Sequence, residues 1–209
     1  MSCGADKYMK KGEKFLALGE YYDAANQFKQ AYTRTPAKER DTRGKRALKM
    51  AQCYQRINAT PKAIAAYRNA IRYNQASKED QLAYARQLLK NGDYRQAEKV
   101  FLMLKDSMPG NQLVANGLKS AQMAPEWKKQ GSRYIVKRMD VFNSRRHDYS
   151  PVLFGDDYDQ LYFTSTRNEA LGDELSGITG TKAGDIFLSE KDDRGKWSKP
   201  EAIGTGLNT

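Results

Sequence analysis

Residues 91–109 read NGDYRQAEKVFLMLKDSMP, and the same frame of turn residues and small residues occurs twice earlier in the chain. The earlier copies are GEYYDAANQFKQAYTRTP, at residues 19–36, and NATPKAIAAYRNAIRYNQ, at residues 58–75. The copies align on three alanines, of which the last two are 34 residues apart: Ala24, Ala63 and Ala97. This period, with helical spacing inside each copy, predicts stacked helix pairs. Such arrays present a surface rather than carry out chemistry.

Residues 5–38 resemble one tetratricopeptide repeat. They match that family's pattern except at Lys11, which replaces the usual leucine; the matching residues are Tyr8, Gly12, Phe15, Gly19, Ala24, Phe28, Ala31 and Pro36. Gly12 has no side chain to hold the first helix away from its neighbour. Pro36 cannot continue a helix and is expected to end the second one.

Two further repeats are predicted at residues 44–77 and 78–111. The second keeps Ala51, Tyr54, Ala63, Tyr67 and Ala70, and the third keeps Ala85, Leu88, Gly92, Asp93, Tyr94, Ala97, Phe101 and Pro109. Extra residues near 37–42 are expected to lengthen the link or to start the next helix early. Residues 112–131 are predicted to be a capping helix and linker, because the apolar face of a terminal repeat needs a cover.

Charge is divided unevenly along the chain. Residues 132–209 contain 11 Lys or Arg and 13 Asp or Glu, so the first 131 residues carry a net charge of +13 within the total of +11. The basic residues are scattered among acidic ones and no nucleic-acid motif accompanies them, so a nucleic acid is not the expected partner. Two interpretations remain: a solvated helix surface, or a groove that favours an acidic protein segment or an anionic polymer.

The tetratricopeptide resemblance implies that first helices form a concave protein-binding face. Carried onto this chain, that face comprises Met9, Glu13, Leu16, Lys45, Leu48, Gln52, Arg56, Leu82, Arg86, Leu89 and Lys90. The combination of lysine and asparagine with which some family members clamp a C-terminal carboxylate is absent, which disfavours a chaperone-tail receptor.

The two cysteines are expected to have different roles. Cys53 lies among apolar residues of the second repeat and is expected to be a buried thiol. Ser2-Cys3-Gly4 resembles the end of a bacterial lipobox, which implies lipidation of Cys3; the alternatives are an ordinary terminal cysteine or a disulfide with Cys53. His147 is the only histidine. A zinc site or a serine–histidine–aspartate triad would lack ligands or a nucleophile elbow, so we expect a loop or strand-edge role for it, with no cofactor and no catalytic residue.

After residue 132 the apolar pattern changes to alternation. Strands are predicted at 134–142, 151–154, 160–166, 185–189 and 196–203, separated by turn clusters at 155–159 and 192–195 and by a longer loop at 167–183. The last four are expected to form a meander. Three aspartates in the first turn, Asp156, Asp157 and Asp159, lack the frame of an EF-hand loop and predict a solvated hairpin turn.

These segments resemble one blade of a WD40-like propeller of the PD40 type. The residues that carry the resemblance are YSPVLF at 149–154, DQLYFTSTR at 159–167, DIFLS at 185–189 and WSKP at 197–200. A propeller has several blades, so residues 132–209 are expected to be its start, with the first strand completing the final blade. The fold class is therefore α + β and multidomain: an α-solenoid of three repeats plus a capping helix, then the first antiparallel blade.

The domain order resembles that of Bacteroidetes periplasmic lipoproteins, in particular the PorE-like, OmpA-family proteins associated with type IX secretion. It implies a non-enzymatic scaffold, held at the outer membrane by a lipid on Cys3, that docks other envelope or secretion proteins. Peptidoglycan would be bound only by a domain absent from this sequence, which is expected to be truncated. Two alternatives stay open: the non-catalytic part of a propeller-bearing peptidase or sugar-active hydrolase, and a cytoplasmic assembly factor without lipid.

Overall fold

A computed structural model describes residues 3–208, with the side chain of Cys3 outside the description. The chain divides into two compact units. One comprises residues 1–132 with 177–179, and the other comprises residues 133–176 and 180–209. We call them the helical unit and the sheet unit.

The helical unit has a helical-repeat arrangement. Within residues 3–208 there are seven helices: α1 (Cys3–Ala17), α2 (Tyr21–Arg34), α3 (Arg40–Arg56), α4 (Thr60–Arg72), α5 (Lys78–Lys90), α6 (Tyr94–Ser107) and α7 (Gln112–Gln130). Each helix packs against the next along the chain, and α5 also contacts α7. Of these described helices, none is both long enough and apolar enough to cross a bilayer.

Small residues let large rings fill the spaces between the helices. Ala24, Ala63 and Ala97, on which the sequence copies align, are fully buried. At Gly12 an added Cβ would lie 2.5 Å from the ring of Phe28, so the close approach predicted for this glycine is confirmed. The core of the unit therefore depends on glycine and alanine at the positions that face its aromatic rings.

The residues between the first two helix pairs start the next helix early. Helix α3 begins at Arg40, ahead of Gly44 where the repeat frame begins. The extra turn brings Arg43 against its neighbours, where it donates a hydrogen bond of 2.6 Å to the Thr35 carbonyl and stacks over the Tyr32 ring, 4.4 Å from its centroid. Of the two alternatives predicted for residues 37–42, the early helix start is the observed one.

A buried arginine connects the first three helices. Arg46 on α3 is only 4% exposed. Its guanidinium donates to Asp6 on α1, to the Thr35 hydroxyl and to the Ala31 carbonyl at the end of α2. These partners compensate the cost of removing the charge from water. They also fix how α1 and α2 meet α3.

The sheet unit is a meander of four antiparallel strands. They are β1 (Asp148–Phe154), β2 (Gln160–Ser165), β3 (Asp185–Glu190) and β4 (Glu201–Ala202), hydrogen-bonded in chain order. Phe163 pairs with Phe187 across β2 and β3, and with Ala170 these rings form a small core. The predicted meander and its turns are therefore observed. The last strand is much shorter than predicted, although Lys191 and Trp197 form an isolated bridge ahead of it.

The strand predicted at 134–142 is wrong. That segment has no strand, and Tyr134, Ile135 and Val136 are at least 82% exposed. Strand propensity reflects how well a side chain fits a pleated, half-buried surface, and no described strand pairs with this segment to provide one. Its β-rich composition therefore does not produce a strand.

Candidate protein-binding cleft

The first helices of the three helix pairs contribute to one open cleft on the helical unit. The cleft has a volume of about 410 Å³. It is lined from α1, the start of α2, α3, α4 and α5 by Leu16, Tyr21, Gln52, Cys53, Gln55, Arg56, Tyr67, Glu79, Asp80 and Ala83. Three of the predicted groove residues, Leu16, Gln52 and Arg56, are brought together here.

The other predicted groove residues lie outside this cleft. Glu13, Lys45, Arg86 and Lys90 are exposed on their helices, whereas Met9, Leu48 and Leu89 are half-buried against the core. Leu82 was predicted to face a ligand, and that prediction is wrong, because this side chain is 7% exposed and belongs to the core. Its neighbour Ala83 lines the cleft instead, since adjacent helical residues point about 100° apart.

Two hydrogen bonds connect helices that line the cleft. The Gln52 amide on α3 donates to the Asp80 carboxylate on α5 at 3.1 Å. Asp80 also completes a capping box with Ser77 at the start of α5. Across the cleft, the Tyr67 hydroxyl donates to Gln55 at 2.5 Å. The polar groups of neighbouring helix pairs are therefore positioned before any partner arrives, which lowers the entropy lost on binding.

Charge differs between the two sides of the cleft. Arg56, at the end of α3, is exposed and lies over the Tyr21 ring, 5.8 Å from its centroid. Glu79 and Asp80 lie at the start of α5. The forked donors of a guanidinium suit a carboxylate. This local arrangement is therefore mixed rather than uniformly basic, although the helical half of the sequence is strongly basic.

The buried groups in the cleft wall are unsuited to nucleophilic chemistry. Burial raises the pKa of the Cys53 thiol to about 11, and the nearby Lys49 offsets only part of that effect. Burial also raises the pKa of Tyr67. Because a thiolate and not a thiol is the nucleophile, Cys53 is protonated and inert at neutral pH. Its predicted role as a buried thiol is confirmed by its 1% exposure.

Several cleft residues were missed by the sequence reasoning. Tyr21, Gln55, Glu79, Asp80 and Ala83 were not assigned to the groove. Gln55 directly precedes the assigned Arg56, and Ala83 directly follows the assigned Leu82. The predicted face of each helix therefore differs from the observed one by a single residue. Tyr21 follows the Gly19 turn, where φ is +77°, and this turn brings the start of α2 over the end of α1.

The only histidine of the chain lies outside the cleft. His147 directly precedes β1, where its carbonyl accepts a hydrogen bond of 3.0 Å from the Thr166 amide, as a strand-edge residue would. Among the residues that the structure describes, no group of three His, Cys, Asp or Glu side chains could hold a metal ion. The Cys3 thiol, predicted to carry a lipid, lies outside the described side chains.

Comparison with known proteins identifies the fold of the helical unit only. No protein-family model matches the chain, and no curated protein matches it either. Three of the similar solved structures are tetratricopeptide domains. The C-terminal domain of an FK506-binding protein from Plasmodium falciparum is 14% identical with a TM-score of 0.50, and the match covers 62% of this chain and 93% of that one.

The other two structures are less similar in shape. The first tetratricopeptide domain of Spaghetti (RPAP3), solved with the HSP90 peptide SRMEEVD, is 17% identical with a TM-score of 0.48, covering 61% of this chain and 97% of that chain. The Sgt2 domain from Aspergillus fumigatus is 18% identical with a TM-score of 0.46, covering 65% and 88%. With the helix order and the Plasmodium match together, the helical unit has the tetratricopeptide-repeat fold.

Proposed function

We propose that this chain is a non-enzymatic scaffold whose helical unit binds an extended segment of another protein. The observation that carries the proposal is the cleft itself, which draws its lining from the first helix of each of three helix pairs. A cleft lined from three stacked pairs crosses more than one helix, which suits an extended peptide. Arg56 beside Tyr21 would donate hydrogen bonds to a carboxylate of the partner, while Glu79 would face a basic or amide group.

Charge reversal tests this groove. The variant R56E/R86E/K90E reverses Arg56 in the cleft together with Arg86 and Lys90, which are exposed on α5 outside it, and we expect it to recover at least about tenfold less of the specific partner in a pull-down from envelope extract. The matched control is K29E/R68E/K99E, which changes the charge equally on exposed positions of second helices. Bound proteins are identified by mass spectrometry, and the recognised segment is then mapped on synthetic peptides.

The control variant keeps the comparison independent of net charge. It should recover the partner as well as the unchanged chain does. If the groove variant recovers the partner undiminished, the assignment of the groove is wrong. Equal losses in both variants would mean that non-specific attraction to a basic surface, and not the groove, accounts for binding.

We further propose that the scaffold is a periplasmic lipoprotein held at the outer membrane by Cys3, docking components of an envelope or secretion complex. Ser2-Cys3-Gly4 supports this through its resemblance to the end of a lipobox. The four-stranded antiparallel meander supports the related proposal of a propeller blade, since a blade has four strands.

One face of the meander supports the blade proposal further. Tyr149, Val152 and Phe154 on β1 are 47–63% exposed; Val152 pairs with Tyr162 on β2, which in turn pairs with Leu188 on β3. Propeller blades bury such faces against the next blade. An apolar sheet face of this kind is unusual in contact with water and is suited to a neighbouring sheet.

Mass spectrometry of the native protein tests the lipid. We expect the mature chain to begin at Cys3, with the mass of the N-terminal peptide increased by diacylglycerol and an amide-linked acyl chain. A protein with a C3S substitution should instead stay in the soluble fraction. Recovery of an unmodified Cys3, or of an intact upstream sequence in the mature protein, would reject the lipoprotein proposal.

A further inference from the structure

Helix α1 packs one apolar face against the other helices of the helical unit and exposes the opposite face, which is charged. Ala5 and Gly12 are buried, and Met9, Phe15 and Leu16 pack partly against the core. These residues recur at the three- and four-residue spacing of one helical face. The opposite surface of α1 is therefore left to solvent, and its composition is not needed for packing.

That exposed surface is a row of lysines. Lys7, Lys10 and Lys14 are three and four residues apart, so they lie along one side of the helix, and all three are exposed. Lys11 flanks them, and Leu18, directly after the helix, is 72% exposed. We call Lys7, Lys10, Lys11 and Lys14 the lysine face. Together with Asp6, Phe15 and Leu18 it lines an open depression on the helical unit.

The acidic residues of α1 do not neutralise this face. Helix α1 has two of them, Asp6 and Glu13. Asp6 is bound to the buried Arg46 guanidinium. Glu13 lies at one edge of the face, a single step before Lys14. The lysine face therefore keeps a net positive charge, with an apolar side chain at its end.

We propose that the lysine face binds the anionic headgroups of a phospholipid bilayer. Lysines spread along a helix supply mobile point charges, which suit a fluid sheet of headgroups, whereas reading a single carboxylate favours the fixed fork of arginine. Leu18 can enter the boundary between headgroups and acyl chains, as an apolar residue beside a basic helical face does. The choice of a bilayer rests on the proposed lipid anchor at Cys3. Residue 3 lies four residues before Lys7, so it is on the same side of α1 as the lysine face, and a lipid there would bring this face to the membrane.

Vesicle binding by the chain without lipid tests this inference. The chain is produced without export, so that Cys3 is unmodified, and is titrated with vesicles of phosphatidylcholine containing phosphatidylglycerol and with vesicles of phosphatidylcholine alone. We expect binding to the anionic vesicles only, weakening as salt is added. Each lysine near an anionic surface strengthens binding about fivefold, so K7Q/K10Q/K14Q should bind on the order of 100-fold more weakly.

A matched control and the lipid analysis separate this inference from the proposed function. K29Q/R68Q/K99Q removes three exposed charges from second helices and should bind anionic vesicles within about twofold of the unchanged chain. Far-UV circular dichroism melting verifies that both variants fold. Anionic-vesicle binding that is lost equally in both variants, or retained in K7Q/K10Q/K14Q, would overturn the lysine face. An unlipidated Cys3 in the native protein would reject the anchor, while lysine-dependent vesicle binding would still uphold the face.

Discussion

Replacing Phe101 with alanine is expected to lower the free energy of unfolding of the helical unit by about 3–5 kcal/mol. The ring is fully buried in α6. It lies so close to α7 that a Cβ added to Gly117 would be 2.3 Å from it. Removing the ring therefore opens a cavity between two helices and loosens α7, which packs on α6 and α5. Urea denaturation followed by far-UV circular dichroism measures the loss.

Substitutions at Gly117 test the contact between the Phe101 ring and α7 directly. In the unchanged chain, G117A places a methyl group against the Phe101 ring and is expected to cost about 1–3 kcal/mol. In the F101A background that clash is absent, and alanine is the better helix former by about 1 kcal/mol, so the same change should be neutral or stabilising. L102A is the control, since Leu102 is 45% exposed on the same helix. An equal cost of G117A in both backgrounds would contradict the packing described here.

Replacing Arg167 with methionine is expected to destabilise the sheet unit by about 3–5 kcal/mol, which is enough to unfold a unit with so small a core. The guanidinium donates to the Asp148 carboxylate at 2.9 Å, to the Phe142 carbonyl at 2.6 Å and to the Ser165 hydroxyl at 2.9 Å. It also lies over the Phe187 ring, 4.7 Å from its centroid. Loss of the arginine leaves a buried carboxylate without its ion pair, and the irregular segment before β1 loses its attachment.

Trp197 provides the measurement. It packs edge-to-face on Phe142, with 5.2 Å between ring centroids, and the only other tryptophan is Trp127. In a W127F background, tryptophan fluorescence therefore reports on the sheet unit alone during denaturation. The control is D140N, which removes the exposed pair between Arg138 and Asp140 and should change stability by less than about 1 kcal/mol. Equal effects of R167M and D140N would contradict the account.

The stability of the sheet unit should also fall at acid pH, because Asp148 must be ionised to pair with Arg167. Burial alone would raise the pKa of Asp148, but hydrogen bonds from Ser165, Ser144 and Arg167 outweigh it, so the pKa lies below its usual value. A carboxyl whose folded pKa is depressed stabilises the fold above its unfolded pKa and loses that contribution as pH falls through the folded one. The sheet unit should therefore weaken below about pH 4, and D148N should remove most of that dependence.

The helical part of the fold could be predicted because its signals are local. Ala24, Ala63 and Ala97 mark buried positions through their spacing alone, and Gly12 indicates a close helix contact. What spacing does not reveal is which helix a ring meets. Phe101 was assigned to the third repeat, yet its ring also packs on Gly117 of α7. Contacts between repeats of this kind depend on how pairs stack, which no single copy of the pattern encodes.

The sheet part shows where local propensity stops being sufficient. Residues 160–165 and 185–190 alternate and also pair with each other, so prediction and structure agree. Residues 134–142 have equally suitable side chains but no described strand beside them, and they stay irregular. Arg167 was missed altogether. A lone arginine after a strand gives no sign of burial until the turn brings Asp148 and the Phe142 carbonyl around it.

Only three of the residues that line the cleft were among the predicted groove residues. The register of a first helix identifies its outward side, and this gave Leu16, Gln52 and Arg56. It also gave Leu82, one step too far towards the core, because the boundary between the two sides depends on how closely α4 and α6 approach α5. Glu79 and Asp80, which bring negative charge into a basic array, follow from where α5 begins.

Site-specific photo-crosslinking tests the central claim, that this cleft binds an extended protein segment, most directly. A photoreactive amino acid is placed at Gln52 within the cleft and, as a control, at Arg68 on the exposed surface of α4. Binding in this cleft predicts that position 52 crosslinks, in intact cells, to one contiguous segment of a single partner, and that R56E/R86E/K90E abolishes the crosslink. The same products from positions 52 and 68, or a crosslink at 52 that survives the charge reversal, would contradict it.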